Sequence, residues 1–186
     1  FSSLNPGMAH SCGHDTHTAM LLGAAYVLKE LKDTFHGTVK LIFQPSEENA
    51  ADSGAKKMIE DGVLQNPKVD AVLGQHVWPP FQLGKVGARS GPMMAASDRL
   101  FITIRGKSSH GGSAPDEGID AIMIASYVVA ALQSIVARNV PPLKSTVISI
   151  GKIQGGSRYN VIADEVKLEG TCRNLDLAVR DTMPAR

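Results

Sequence analysis

The chain is poor in the features that mark the easily recognised protein classes. Among its 186 residues are only two cysteines, Cys12 and Cys172. They are too few and too far apart to form a stapling framework, so a reducing compartment, and with it a cytoplasmic location, is the expectation. Neither sign of charge dominates: 19 Lys+Arg against 18 Asp+Glu leave +1. The basic residues are scattered and form no stripe, which argues against nucleic acid as a partner. Long hydrophobic runs are missing too, since 19–25 and 122–125 fall far short of the roughly 20 residues that cross a bilayer. No cationic segment followed by an apolar one opens the chain, so no membrane partner is expected. There is no G-x-S-x-G elbow, H-E-x-x-H, P-loop or G-x-G-x-x-G. Serine hydrolases, zincins, nucleotide hydrolases and dinucleotide-dependent dehydrogenases thereby lose their usual support.

What is present, 43% hydrophobic and 20% charged residues, belongs to an ordinary globular chain. It opens on Phe1-Ser2-Ser3-Leu4 and stops soon after the helical start at 175–181, so a fragment of something longer is expected. A helix is predicted from an N-cap at Asp15 or Thr16, with Met20, Ala24, Val27, Leu28 and Leu31 at the spacing of a buried face. A β-prone run at 38–43, a helix at 53–60 stopped by Gly62, and an apolar strand at 69–74 follow. Strand, helix, strand with nearly unbroken apolar strands predicts an α/β unit, a parallel-type sheet with helices on both faces.

Beyond Gly91-Pro92-Met93-Met94 the pattern changes. Leu100, Ile102 and Ile104 alternate with Phe101, Thr103 and Arg105, and Val166 and Leu168 alternate with Lys167 and Glu169, as in strands with one wet face. Between them lie a helix at 119–138, with Ile122, Ala125, Val129, Leu132 and Val136 in helical register, and a strand at 146–150. This order is a split βαβ unit lacking its last strand. Two domains are expected, 1–94 and 95–186.

Three of the six histidines crowd into His10-Ser11-Cys12-Gly13-His14-Asp15-Thr16-His17. Thiolate and neutral imidazole are transition-metal donors, and Cys12 and His14, two residues apart in an extended loop, can face one point. The plainer alternative is a polar loop whose histidines cap the helix. In Gln44-Pro45-Ser46-Glu47-Glu48, after the strand at 38–43, two adjacent carboxylates are expected to point apart. One would ligate a metal while the other faces a water as general base; alternatively the pair is a solvated acidic turn. His76, directly after the strand at 69–74, stands at the sheet edge where open α/β sheets place their sites, or is structural. His110, in Gly106-Lys107-Ser108-Ser109-His110-Gly111-Gly112, is either a turn histidine or an imidazole that stabilises charge in a transition state. The loop 155–160 offers Arg158 and Asn160 to a substrate carboxylate, or is an ordinary hairpin connection. Cys172 reads as a small packed residue. One further reading makes Cys12 a nucleophile paired with His14 or His17.

In this order, the Cys12/His14 loop, Gln44-Pro45-Ser46-Glu47-Glu48, Gly74-Gln75-His76-Val77-Trp78-Pro79, Gly106-Lys107-Ser108-Ser109-His110 and the segment from Gly155 to Ile162 resemble the amidohydrolase branch of the aminoacylase and carboxypeptidase-like metallopeptidases. That group includes hippurate hydrolases and hydrolases of indole-acetyl amino acids. The resemblance implies a two-metal catalytic domain with an inserted ferredoxin-like lid, here truncated, and hydrolysis of N-acyl amino acids. Carried over, it makes Cys12, His14, Glu48 and His76 ligands of two divalent ions (zinc, manganese, cobalt or nickel) and Glu47 the general base. His110 would polarise the scissile carbonyl from the lid of a homodimer, and Asn160 would lie near the substrate. The resemblance also marks departures: the family's opening Asp-containing strands and its closing His ligand are not in this sequence, and Ala163 stands where Pro is common. A non-catalytic module that binds metal or dimerises is the alternative of a different class.

Overall fold

A computed structural model describes residues 3–49 and 52–185. Phe1, Ser2 and Arg186, which bear on the expectation of a fragment, lie outside the described residues. The fold divides into two compact units, Phe1–Val86 and Gly87–Arg186.

The first unit contains helices α1 (His14–Glu30) and α2 (Gly54–Glu60). Helix α1 starts earlier than the sequence predicts, because Gly13 adopts the left-handed conformation (φ 79°, ψ 31°) and turns the chain into it without a side-chain cap. Its inward stripe is rotated as well. Met20, Ala24 and Leu28 are partly buried, but Val27 and Leu31 are exposed, and no residue of α1 is fully buried. The runs at 38–43 and 69–74 belong to no ladder among the described residues, so the parallel sheet expected there is not seen among them. A strand needs a partner backbone as well as an apolar pattern. What reaches across here is Lys40, whose ammonium donates to the carbonyls of Val63 (2.9 Å), Gln65 (2.6 Å) and Pro67 (3.3 Å). Leu73 is left 97% exposed and Phe43 44%.

The second unit follows its pattern closely: β1 (Ala96–Arg105), α3 (Ala121–Ser134), β2 (Thr146–Gly155), β3 (Glu165–Asn174) and α4 (Leu177–Thr182). The sheet order is β1-β3-β2, antiparallel at both pairings. The flanking strands therefore run the same way with α3 as their crossover, which is the split βαβ arrangement. Inward residues of the alternating strands (Ile104, Val166, Leu168) pack on Ala121 and Ala125 of α3 and on Ala163. Phe101, Thr103 and Lys167 face outward.

Helix α3 is capped by Asp120, whose Oδ1 accepts from the amides of Ile122 (2.9 Å) and Met123 (3.0 Å). Its buried stripe begins one residue earlier than predicted, at Ala121, because two alanines let the helix approach the sheet; Ile122 is half exposed. The helix continues into a wider π turn, Ile135–Asn139. Together, Ala121–Asn139 has a mean hydropathy of 1.7 and by composition the length to cross a membrane, which a search for unbroken apolar runs passes over. In the fold, one side of this stretch is the core helix. Cys172 is buried, as expected of a packed residue, beneath the Asn174 amide (3.3 Å). Asp176 caps α4, and Arg180 grips Asp98 of β1 with two hydrogen bonds (2.8 and 2.6 Å).

Candidate metal centre

Cys12 and His14 flank the left-handed Gly13, and this local reversal allows a loop residue and the first residue of α1 to face one point. No other residue fits well there. A Cβ at Gly13 would stand 2.8 Å from Val77 Cγ2, and the left-handed region is costly for any residue with a Cβ.

The Glu pair departs from the sequence expectation. Adjacent carboxylates point apart on an extended chain, but Ser46 has a positive φ (52°) and the Asn49 amide closes a turn on the Ser46 carbonyl (3.3 Å). Both carboxylates consequently turn to the same imidazole: His14 Nε2 lies 3.6 Å from Glu47 Oε2 and 3.6 Å from Glu48 Oε1. The start of α2 supports this turn from behind. Gly54 is buried so tightly that a Cβ would come within 2.0 Å of the Pro45 carbonyl oxygen.

One ligand atom each of Cys12, His14, Glu47 and Glu48 lies within 4.8 Å of all the others. His76 joins through Cys12, its Nε2 3.3 Å from Sγ. The other ring nitrogen of His76, Nδ1, is 2.6 Å from the Val77 carbonyl. A carbonyl only accepts, so Nδ1 carries the proton and the Nε2 lone pair is the one turned to the cluster. The five residues singled out from three separate segments thus come together. A sixth, His17, which the sequence marks only as a cap or a nucleophile's partner, stands beside them. Its Nε2 accepts the Val77 amide (3.1 Å), and its ring lies 4.3 Å from that of His76. The only signal in the sequence is its position one helical turn after His14.

The electrostatics fit a cation. Burial, and then the charges of Glu48 and Glu47, push the Cys12 thiol above its ordinary value. Burial, and then the His76 and His14 rings, hold His17 below the ordinary imidazole value. A thiol, an imidazole and two carboxylates converge, and the carboxylates repel one another and any thiolate formed beside them. A divalent ion would relieve that repulsion and favour the thiolate, and the donor types suit a transition metal.

The second unit gathers the remaining predicted residues. His110 Nδ1 accepts from the amides of Gly112 (3.2 Å) and Ser113 (3.1 Å), which leaves Nε2 to carry the proton of the neutral ring. Its loop is stitched to the 155–163 loop: the Gly111 amide donates to the Asn160 carbonyl (2.9 Å), and Ile162 N–H to the Ser109 carbonyl (3.0 Å). Arg158 and Asn160 line an open cavity of about 510 Å³ between these loops. Asp120, Ile122 and Tyr159 also line it. Tyr159 belongs to the 155–160 loop already singled out, but nothing local in the sequence marks Asp120, a helix cap, or Ile122 beside it as part of a cavity wall.

Comparison with known proteins agrees with this chemistry. The chain is 49% identical over 186 residues to the N-acetyl-L-cysteine deacetylase of Bacillus subtilis (strain 168), covering 100% of this chain and 44% of that protein. It is 46% identical over 184 residues to the N-acyl-L-amino acid amidohydrolase of Geobacillus stearothermophilus, covering 99% and 49%. The chain therefore spans about half the length of the curated relatives it matches. Among solved structures, a dinuclear metal-binding peptidase of the M20 family from Bacillus subtilis superposes with a TM-score of 0.73 at 38% identity, over 99% of this chain and 44% of that one. Residues 1–178 match peptidase family M20/M25/M40, and with the match running through every segment that builds the centre, the chain belongs to that family.

Proposed function

We propose metal-dependent hydrolysis of the amide bond of N-acyl amino acids or small peptide-like amides, with this chain supplying the central part of the machinery. The observation that carries the reading is the convergence of Cys12, His14, Glu47 and Glu48 within 4.8 Å, with His76 on Cys12. The names of two relatives, a deacetylase of N-acetyl-L-cysteine and an amidohydrolase of N-acyl-L-amino acids, support the substrate class. Cys12, His14, Glu48 and His76 would hold two divalent ions, of zinc, manganese, cobalt or nickel. Such a pair, when bound, supplies Lewis acidity and a more acidic water.

Glu47 takes a proton from the attacking water as its oxygen bonds to the carbonyl carbon. It returns that proton to the nitrogen as the C–N bond breaks, leaving a carboxylate and a free amino acid. His110 of a second copy's lid, with Nε2–H as its free donor, hydrogen-bonds the carbonyl oxygen as negative charge develops there. Arg158 and Asn160 hold the substrate carboxylate. In this reading residues 1–94 contribute to a catalytic domain whose parallel sheet forms with strands from outside this chain, which the solvent-facing Phe43 and Leu73 favour. Residues 95–186 form a ferredoxin-like lid that dimerises, favoured by the exposed Met123 and Tyr127 on α3. The location is cytoplasmic, in keeping with two unpaired cysteines.

The thiol-hydrolase reading fares worse, because two carboxylates oppose the thiolate that such chemistry needs. The deciding experiment is metal content after dialysis against trace divalent ions, with Cys12→Ser/Glu48→Gln as the blank. It is paired with hydrolysis of N-acetyl amino acids by the longer protein containing this chain. Near-stoichiometric metal that the double variant loses is expected. Glu47→Gln should keep the metal and lose turnover; normal turnover in that variant would remove Glu47 from the scheme. Metal without hydrolysis of any N-acyl amino acid would favour the non-catalytic module.

A further inference from the structure

We propose that His17 is a positioning residue that locks His76 and Cys12 into register through the Val77 peptide. The inference rests on the metal-centre reading above and goes beyond it by assigning a residue outside the ligand set. Three contacts meet at Val77. Its amide donates to His17 Nε2 (3.1 Å), its carbonyl accepts from His76 Nδ1 (2.6 Å), and its Cγ2 lies against Gly13. The peptide between His76 and Val77 leads into this junction, so the rotation of the His76 ring follows the Val77 backbone. His17 sets the backbone, and the backbone sets the ring.

The ring of His17 also fills the space behind that of His76, with centroids 4.3 Å apart and planes tilted by 55°. It stands 5.7 Å from the His14 ring on the same helix. Residues 14 and 17 are neighbours on one helix face. Helix α1 therefore presents His14 to the cluster while His17, through its acceptor, holds the segment that brings His76. Because Nε2 accepts an N–H, the His17 proton sits on Nδ1 and Nε2 is already occupied. His17 consequently acts on the donors and is not one of them. Ligand histidines are typically oriented by such outer partners, whose loss costs about 10–100-fold in metal affinity.

The test uses two variants of the longer protein that contains this chain. His17→Phe keeps a flat ring and removes the acceptor, whereas His17→Gln places an amide oxygen near the Nε2 position. In the metal-free protein, hydrogen exchange at the Val77 amide should speed roughly 2–10-fold in His17→Phe, the span of one net hydrogen bond. Exchange in His17→Gln should stay close to the parent. With Co²⁺ as the probe, His17→Phe should bind about 10–100-fold more weakly, with a weakened thiolate-to-cobalt charge-transfer band from Cys12, and His17→Gln should recover most of both. Unchanged Val77 exchange in His17→Phe overturns the proposal, as does equal loss in both variants. If the parent binds no Co²⁺, the metal-centre reading fails while Val77 exchange still decides the role of His17.

Discussion

Replacing Gly13 by alanine isolates what brings Cys12 and His14 to one point. Gly13 sits at φ 79°, ψ 31°, where a residue with a Cβ loses about 1–2 kcal/mol. The new methyl would also stand 2.8 Å from Val77 Cγ2, and relieving such a contact costs about 1 kcal/mol, the low end for overpacking, because Val77 is only partly buried. The sum, about 2–3 kcal/mol, falls on the geometry of both donors. If it appears as lost metal affinity, zinc should bind roughly 30- to 150-fold more weakly, at about 1.4 kcal/mol per tenfold. Gly7→Ala is the control. Gly7 has the same backbone hand (φ 74°) but nothing within 4 Å of its added methyl, so it carries the conformational cost without touching the centre. Competition of each variant against a zinc-binding dye, alongside a thermal melt, separates the two terms. Zinc affinity in Gly13→Ala equal to that in Gly7→Ala would refute the claim that this turn assembles the donors.

Two further outcomes concern the second unit. The Arg180 hydrogen bond holds the Asp98 carboxyl below its ordinary value, and Lys144 does the same for Asp176. Since both folded values lie below the unfolded one of about 3.9, their stabilisation is complete above that pH. It is lost as the pH falls through the folded values. Melting temperature should therefore be flat near neutrality and fall below about pH 4, with a shallower fall for Asp98→Asn; an identical acid slope in that variant would remove the pair from the account. Asp120→Ala deletes the acceptor of two amides at the start of α3 and should cost about 1 kcal/mol in a denaturant melt; no change would mean the cap is dispensable.

The second unit was legible because its strands are half buried, and alternation with period two survives in the order of residues from Leu100 to Arg105 and from Val166 to Glu169. The first unit was less so. Its apolar runs at 38–43 and 69–74 read as buried strands, but a ladder depends on a second backbone, and no local pattern says whether one is at hand. The donors were legible by type, since Cys12, His14, Glu47, Glu48 and His76 are the residues that bind metals. Their arrangement was not. The turning of both carboxylates to His14 follows from the positive φ of Ser46, and the link from His17 to Val77 spans 60 positions. Ile122 was placed on the wrong side of α3 because two alanines, which carry little hydrophobic signal, form the closest contact with the sheet.

The order β1-β3-β2 also sets a schedule for synthesis. The central strand is the last of the three to be made, so β1 can pair with nothing until residues 165–174 have left the ribosome, whereas β2 and β3 are joined by a short connection and can close first. Pairings between distant segments form slowly, and until then the alternating face of β1 is an unprotected edge. The Arg180–Asp98 clasp, which ties α4 back to β1, is made of residues at opposite ends of this schedule, and its closure marks the point at which β1 is fixed beside β3, its outer edge and that of β2 staying open.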